Sequence, residues 1–251
     1  MFDEIISEKY TIIDKGTSEG TQVKYKKGKY WYKLDHDGRE GLCEYLASKL
    51  LTFTDLKQSD YILYEQGMIN GKCGCRSKDY LTPGENFVTF YRLYFNEYGK
   101  NLADVLSQMD GMEERIEYTC SFVYKQTGLD IHNYLSKIFT LDRIILNEDR
   151  HVNNLALIDN DNGFRVAPIF DNGRSLLTAN VSVNWNRSMS ENVKRVVAKP
   201  FSGSHEAMFK YFGEGFNLDY MNAIRWLESE EESQERNVLM YKIKELYENN
   251  D

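Results

Sequence analysis

Three oxygen-bearing side chains in the middle of the sequence, Asp149, Asn154 and Asp171, stand at a spacing that suits phosphoryl chemistry. The polar stretch Asn147-Glu148-Asp149-Arg150-His151-Val152-Asn153-Asn154 leads into the apolar run Leu155 to Ile158. A polar run from Asp159 to Gly163 follows, then Phe164 to Phe170, then Asp171-Asn172-Gly173. Asn162-Gly163 is a strong signal for a two-residue hairpin turn, since both residues tolerate the positive φ of a type I′ turn. With that turn, Asn154 falls directly opposite Asp171 at the open end of the hairpin. Two hard oxygen ligands there suit Mg²⁺, which takes few protein ligands and leaves the rest of its shell to phosphates and water. Asp149 stands at the end of an expected long helix and the start of a polar loop. A carboxylate so placed can orient an attacking hydroxyl and accept its proton. Asp-x4-Asn, a hairpin and a further Asp together form the phosphoryl-transfer template of kinases. Taken singly, the same pieces also read as a solvated acidic loop followed by an ordinary hairpin.

That template requires a phosphate-binding lysine. Lys33 ends the aromatic strand Lys29-Tyr30-Trp31-Tyr32-Lys33-Leu34, and a helix from about Arg39 to Leu51 follows. A strand lysine on the phosphates, held by a helix glutamate, is the kinase pairing. Glu44 is the preferred partner and Glu40 the reserve, while position alone leaves Lys33 equally readable as a surface lysine. Upstream, Gly16-Thr17-Ser18-Glu19-Gly20-Thr21 joins two strands, and its backbone N–H groups could cover phosphates. No Gly-Lys-Ser/Thr follows, so it is not a Walker A loop.

The elements that must position these residues fall into two parts. Residues 1–95 read as a β-rich lobe, with strands at Tyr10–Ile13, Val23–Tyr25 and Lys29–Leu34 and a further strand pair from Tyr61–Tyr64 and Asn86–Phe95. Residues 96–251 read as helical, over Leu102–Met109, Glu113–Gln126, Ile131–Asn147, 206–213, 218–228 and 230–248, with the short β excursion at 155–170 between them. Ile131, Tyr134, Leu135, Ile138, Leu141 and Ile145 recur at helical spacing behind Asp130 as a cap. A strand-rich part followed by a helix-rich part means α+β, here two lobes with a cleft between them. Tyr91–Tyr98, which precedes Gly99, suits the hinge. Arg150 is expected to pair with a carboxylate or backbone carbonyl, and His151 to hold the loop. The stretch Asn180–Ser204 reads either as a substrate-recognising segment or as a plain surface loop.

Composition narrows the class. In 251 residues, 41% are hydrophobic, and 18 tyrosines and 13 phenylalanines supply material for a sizeable core. No apolar run is long enough to span a bilayer, and the opening Met1-Phe2-Asp3-Glu4 has no basic and apolar leader. The net charge of −8 disfavours direct nucleic-acid binding. Cysteines 43, 73, 75 and 120 have no zinc-ligand spacing and read as thiols of a reducing cytoplasm.

With these residues in place, the chain resembles the HipA-like kinases over most of its length. Asn147-x-Asp149-Arg150-His151-x-x-Asn154 is similar to that family's catalytic loop, and also to the loop of phosphoinositide kinases. Asp171-Asn172-Gly173 stands where those kinases carry their metal-binding Asp, and Lys33 matches the ATP-binding lysine. Thr17-Ser18-Glu19-Gly20-Thr21-Gln22-Val23-Lys24 resembles the family's phosphate loop, where a Ser or Thr is autophosphorylated to silence the enzyme; here that residue is Thr17 or Ser18. At 251 residues the chain is expected to be a compact core without the extra N-terminal subdomain of full-length HipA proteins. The resemblance implies a bilobal protein-kinase-like fold, ATP and Mg²⁺, a protein substrate with a Ser or Thr acceptor, and an antitoxin partner. Two other readings compete. A phosphoinositide-type lipid kinase shares the loop, but the acidic chain shows no basic amphipathic helix for a membrane. A nucleotide-binding regulator would bind ATP without transferring phosphate.

Overall fold

A computed structural model describes residues 1–12 and 22–248. The chain begins with β1 (Phe2–Glu4), β2 (Thr11–Ile12), β3 (Lys24–Lys27) and β4 (Tyr30–Leu34), followed by helix α1 (Glu40–Leu50). Strands β5 (Tyr64–Ile69) and β6 (Lys72–Lys78) complete a six-stranded sheet in the order β1-β5-β6-β4-β3-β2. Among the described residues of this sheet, only the β1–β5 pairing is parallel. Alternation along β4 buries Tyr32 and Leu34 with Tyr25, Ile6 and Ile69 on one face. Lys33 therefore points to the opposite face, the side on which α1 lies against the sheet. In α1, Leu42, Cys43, Leu46, Ala47 and Leu50 join the main core.

Helix α1 lies close to the sheet because Gly41 has no side chain where it crosses the β6 backbone at Gly74. A Cβ added at Gly41 would sit 2.5 Å from the Gly74 carbonyl carbon, and one at Gly74 would sit 2.3 Å from the Lys33 carbonyl oxygen. This contact places Glu44, one turn beyond Gly41, over Lys33.

Beyond residues 79–85, which cross from the first sheet, come β7 (Asn86–Thr89), α2 (Phe90–Tyr98), α3 (Leu102–Ser107), α4 (Met112–Thr127) and α5 (His132–Ile145). Strands β8 (Ala156–Asn160) and β9 (Gly163–Val166) follow, then α6 (Met189–Val193), α7 (His205–Phe212), α8 (Tyr220–Ser229) and α9 (Gln234–Glu248). The result is a bilobal α+β molecule. Its main core runs from α1 through the helical lobe, with α5 in the middle contributing Tyr134, Leu135, Ile138, Phe139, Leu141 and Ile145. Among the described residues, no helix is long and apolar enough to cross a membrane.

Three expectations are corrected. The expected strand Asn86–Phe95 is a strand only to Thr89, whose side chain accepts a hydrogen bond from the Arg92 N–H and starts α2. Phe90 and Tyr94, one turn apart, are buried on the same face of α2. Tyr91–Tyr98 is thus helix and not hinge, and residues 79–85 make the crossing. Strand β5 begins at Tyr64 and pairs with β1 and β6, whereas β7 pairs with β8.

The hairpin forms, but two residues out of the expected register: Asn160 pairs with Gly163 and Leu157 with Val166. Asp161 and Asn162 make the turn. The Asn160 side-chain oxygen accepts from the Asn162 N–H at 2.8 Å, and Gly163 takes φ 112° immediately afterwards. That Asx-turn outcompetes the type I′ geometry, so Asn154 does not pair with Asp171. Instead the chain leaves β8: Ile169 donates to Asp60 O at 2.7 Å and accepts from Ile62 N at 3.0 Å. This bridge carries Asp171 toward the first lobe.

The Gly41–Gly74 crossing yields the first prediction. Gly41→Ala must push α1 off the sheet, and should cost about 1–3 kcal/mol by overpacking, read as a lowered urea midpoint. A midpoint equal to that of the parent would show that the crossing has slack.

Candidate active site

The Lys33 ammonium lies between two carboxylates, 2.7 Å from Glu44 Oε1 and 2.7 Å from Asp171 Oδ1. The other Glu44 oxygen accepts the Asn172 N–H at 2.9 Å. One buried glutamate on α1 therefore fixes both the lysine of the first lobe and the segment that follows the hairpin. Glu40 serves elsewhere: it accepts the N–H groups of His36, Asp37 and Gly38 at 3.0–3.2 Å and closes the loop ahead of α1. Lys33 also stands over the Tyr64 ring, 5.4 Å from its centroid.

Burial alone would push each of these groups toward its neutral form. For Asp171 the nearby Lys33 outweighs burial, with help from Lys24 and Arg150, and holds the carboxyl well below its usual range. For Lys33 burial is overcome by Asp171 and Glu44, so its pKa lies well above the ordinary value. Glu44 goes the other way: burial, reinforced by Asp171, raises it despite Lys33. The triad has one cation for two carboxylates, an arrangement that favours a further cation beside Asp171.

The catalytic-loop candidates are held by Arg150, which is fully buried. It forms a fork on Asp142 of α5, with Nε to Oδ2 at 3.0 Å and Nη2 to Oδ1 at 2.9 Å. Nη2 also donates to Asn172 Oδ1 at 2.6 Å. Nη1 donates to Phe170 O at 2.7 Å, with Asn154 O at 3.4 Å and Asp171 O at 3.5 Å. Helix α5 ends at Leu146, which takes φ 55° and turns the chain so that the Asn147 side chain accepts the Asp149 N–H at 2.9 Å. Asn154 closes the loop by donating Nδ2 to Asp149 O at 2.8 Å. His151 Nε2 lies 3.8 Å from Asp149 Oδ2.

Asp149, Asn154 and Asp171 are thus assembled through the Arg150 guanidinium, not by strand pairing. Lys33 and Glu44 join them from the first lobe. Thr17, Ser18 and Gly20 lie outside the described residues. An ionised Asp171 oxygen and the Asn154 amide oxygen are hard donors that fit Mg²⁺ sharing its shell with phosphates. Among the described residues there is no group of three or more His, Cys, Asp or Glu that could hold a metal alone. The residue that sequence reasoning missed is Lys199, whose ammonium lies 3.0 Å from Asp149 Oδ1. It stands fifty positions away in an irregular segment, and only the unusual density of basic residues there gave any signal.

No protein-family model matches the chain, and no curated protein sequence matches it. Solved structures do. The Helicobacter pylori proinflammatory kinase CtkA aligns with a TM-score of 0.67 at 15% identity, over 95% of this chain and 92% of that one. A chain from the Shewanella oneidensis MR-1 toxin–antitoxin complex of HipA, HipB and operator DNA aligns with a TM-score of 0.50 at 11% identity. That match covers 96% of this chain and 66% of the other, so the chain spans just under two thirds of its length. The fold is the bilobal kinase-like fold seen in these two structures.

The triad makes stability depend on pH at both ends. Asp171 has a folded-state pKa below its unfolded value of about 3.9, so its ionised form contributes stability that is complete above that value and is lost as pH falls through the folded pKa. Lys33 is raised above about 10.4, so its contribution is complete below that value and is lost as pH rises through the folded pKa. In a Glu44→Gln background, which removes the opposing titration of Glu44, the difference in urea-unfolding free energy made by Asp171→Asn should therefore be flat from about pH 5 to pH 8 and shrink below about pH 4. A difference that grew on acidification would reverse the sign assigned to Asp171.

Proposed function

We propose that the chain is an ATP- and Mg²⁺-dependent serine/threonine protein kinase of the HipA-like type. The observation that carries this reading is Lys33 bridging Glu44 and Asp171 while Asp149 and Asn154 occupy one loop tied to the same Arg150. Position and electrostatics, more than covalent chemistry, do the work of phosphoryl transfer. Lys33 binds phosphate oxygens and Glu44 holds it in place. Asp171 and Asn154 would hold Mg²⁺, which when bound neutralises phosphate charge. Asp149 orients the acceptor hydroxyl and takes its proton as the oxygen forms its bond to the γ-phosphorus and the bond to the ADP oxygen breaks.

Two finer features belong to the same proposal. Thr17 or Ser18, by resemblance, is the candidate site of autophosphorylation, and a phosphate added there would be repelled by the phosphates of ATP. The fold shared with a toxin–antitoxin complex chain supports an antitoxin partner for this protein. The substrate is a cytoplasmic protein with a Ser or Thr acceptor.

The test is purified protein with Mg²⁺ and γ-labelled ATP, comparing parent, Asp149→Asn and Lys33→Met. Asp149→Asn should lower transfer by about 10²–10⁴-fold with ATP binding retained, and Lys33→Met should weaken ATP binding itself. ATP bound by the parent with no transfer to itself or to a Ser/Thr protein would make the chain a nucleotide sensor. Absence of ATP binding would remove the reading altogether.

A further inference from the structure

Lys199 faces Asp149 on one side and a pocket of about 320 Å³ on the other. The pocket is walled by Leu106 of α3, Arg115 of α4, His151 and Val152 of the catalytic loop, and Lys199 and Pro200. Its volume is at the lower end of the range of about 300–1,000 Å³ typical of ligand sites, which suits a side chain more than a nucleotide. No carboxylate lines it. Arg115 spends its guanidinium on main-chain carbonyls, Phe201 O at 3.1 Å and Met109 O at 2.8 Å, and its buried Nε has no partner among the described residues. Glu148, an acid that also senses Lys199, is tied to Asn180 Nδ2. The pocket therefore holds two cations, and among the described residues the one carboxylate ion-paired to either of them is Asp149.

The surroundings point the same way. In a chain of net charge −8, the segment that ends at this pocket exposes Arg187, Lys194, Arg195 and Lys199. It also exposes Val181, Trp185 and Val197. Glu191 offsets Arg187 and Arg195 in that segment, so the cation at the base candidate is Lys199, which is complementary to an acidic side chain.

We propose that the pocket is the subsite for an acidic side chain next to the phosphoacceptor Ser or Thr, with Lys199 as its specificity-determining cation. The inference rests on the kinase reading for the acceptor, though not for the binding of the acid. An incoming carboxylate takes Lys199 from Asp149, exchanging one charge-assisted hydrogen bond for another. The base is thereby freed at the moment the acceptor arrives. A neutral peptide offers no such exchange: it either leaves Lys199 on Asp149 or breaks that pair without compensation. No bond is made or broken in this step beyond the hydrogen bonds.

Binding without nucleotide tests the subsite independently of catalysis. The probes are fluorescein-labelled peptides with one Ser in an Ala/Gly background and either Glu or Gln at a single flanking position. At low salt one Glu peptide should bind a few-fold tighter than its Gln twin, less than the about tenfold of a full charged hydrogen bond because the Lys199–Asp149 pair is given up in exchange. That preference should disappear in Lys199→Gln and persist in Lys199→Arg. Asp149→Asn should bind the Glu peptide several-fold tighter, because Lys199 is no longer held, and leave the Gln peptide unchanged. Equal binding of Glu and Gln peptides by the parent, or a Glu preference that survives Lys199→Gln, overturns the proposal. Phosphate transfer is scored separately with the same peptides. A Glu preference without transfer upholds the subsite and counts against the kinase, while transfer with no Glu preference does the reverse.

Discussion

The arrangement of the site depends on one buried guanidinium. Arg150 has five N–H donors in a fixed plane, and its hydrogen bonds reach Asp142 on α5, the main chain at Asn154, Phe170 and Asp171, and the Asn172 side chain. Those partners are the long helix that launches the candidate catalytic loop, the loop itself, and the segment that carries the candidate metal ligand. A buried ion pair of this kind adds little net stability over a well-packed apolar replacement. Its contribution is positional: it sets where three separate stretches of chain may stand relative to one another. The strands alone do not do this, because pairing of β8 with β9 ends before either Asn154 or Asp171 is reached.

Around that constraint the first lobe is docked by charge. Glu44 holds Lys33 with one oxygen and the Asn172 N–H with the other, and Lys33 in turn meets Asp171. The geometry exists because Gly41 lets α1 approach the β6 backbone. A triad of two carboxylates and one ammonium retains net negative charge, and Asp171 is held ionised. Addition of a divalent cation and of phosphates would therefore satisfy the same groups that now satisfy one another: Lys33 would exchange a carboxylate for a phosphate oxygen, and Asp171 an ammonium for a metal.

Much of this was legible in the sequence where local rules act alone. Helix α5 was readable because Tyr134, Leu135, Ile138, Leu141 and Ile145 follow one face, and that face is buried. Lys33 and Glu44 were readable because a strand and the next helix are close in sequence and their alternation fixes which face each presents. The hairpin was found but its register was not, since Asn160 could form an Asx-turn that competes with Asn162-Gly163 for the same loop. The aromatic run from Phe90 to Tyr98 fits strand and helix alike, and the Thr89 cap with the Phe90–Tyr94 face decides for helix. Asn154 and Asp171 were expected together for the wrong reason, with Arg150 supplying the link that strand pairing was thought to give. Lys199 was not legible as a partner of Asp149, because no periodicity relates an irregular segment to a loop fifty residues away.

The central claim is that the Lys33–Asp171 pair is the resting form of a nucleotide site. The most direct measurement is a crystal structure with Mg²⁺ and a non-hydrolysable ATP analogue. Lys33 should then lie on phosphate oxygens and still bond Glu44, with the metal on Asp171 and the Asn154 side-chain oxygen. A nucleotide bound elsewhere, or one bound with the Lys33–Asp171 pair intact and no metal at Asp171, would contradict it.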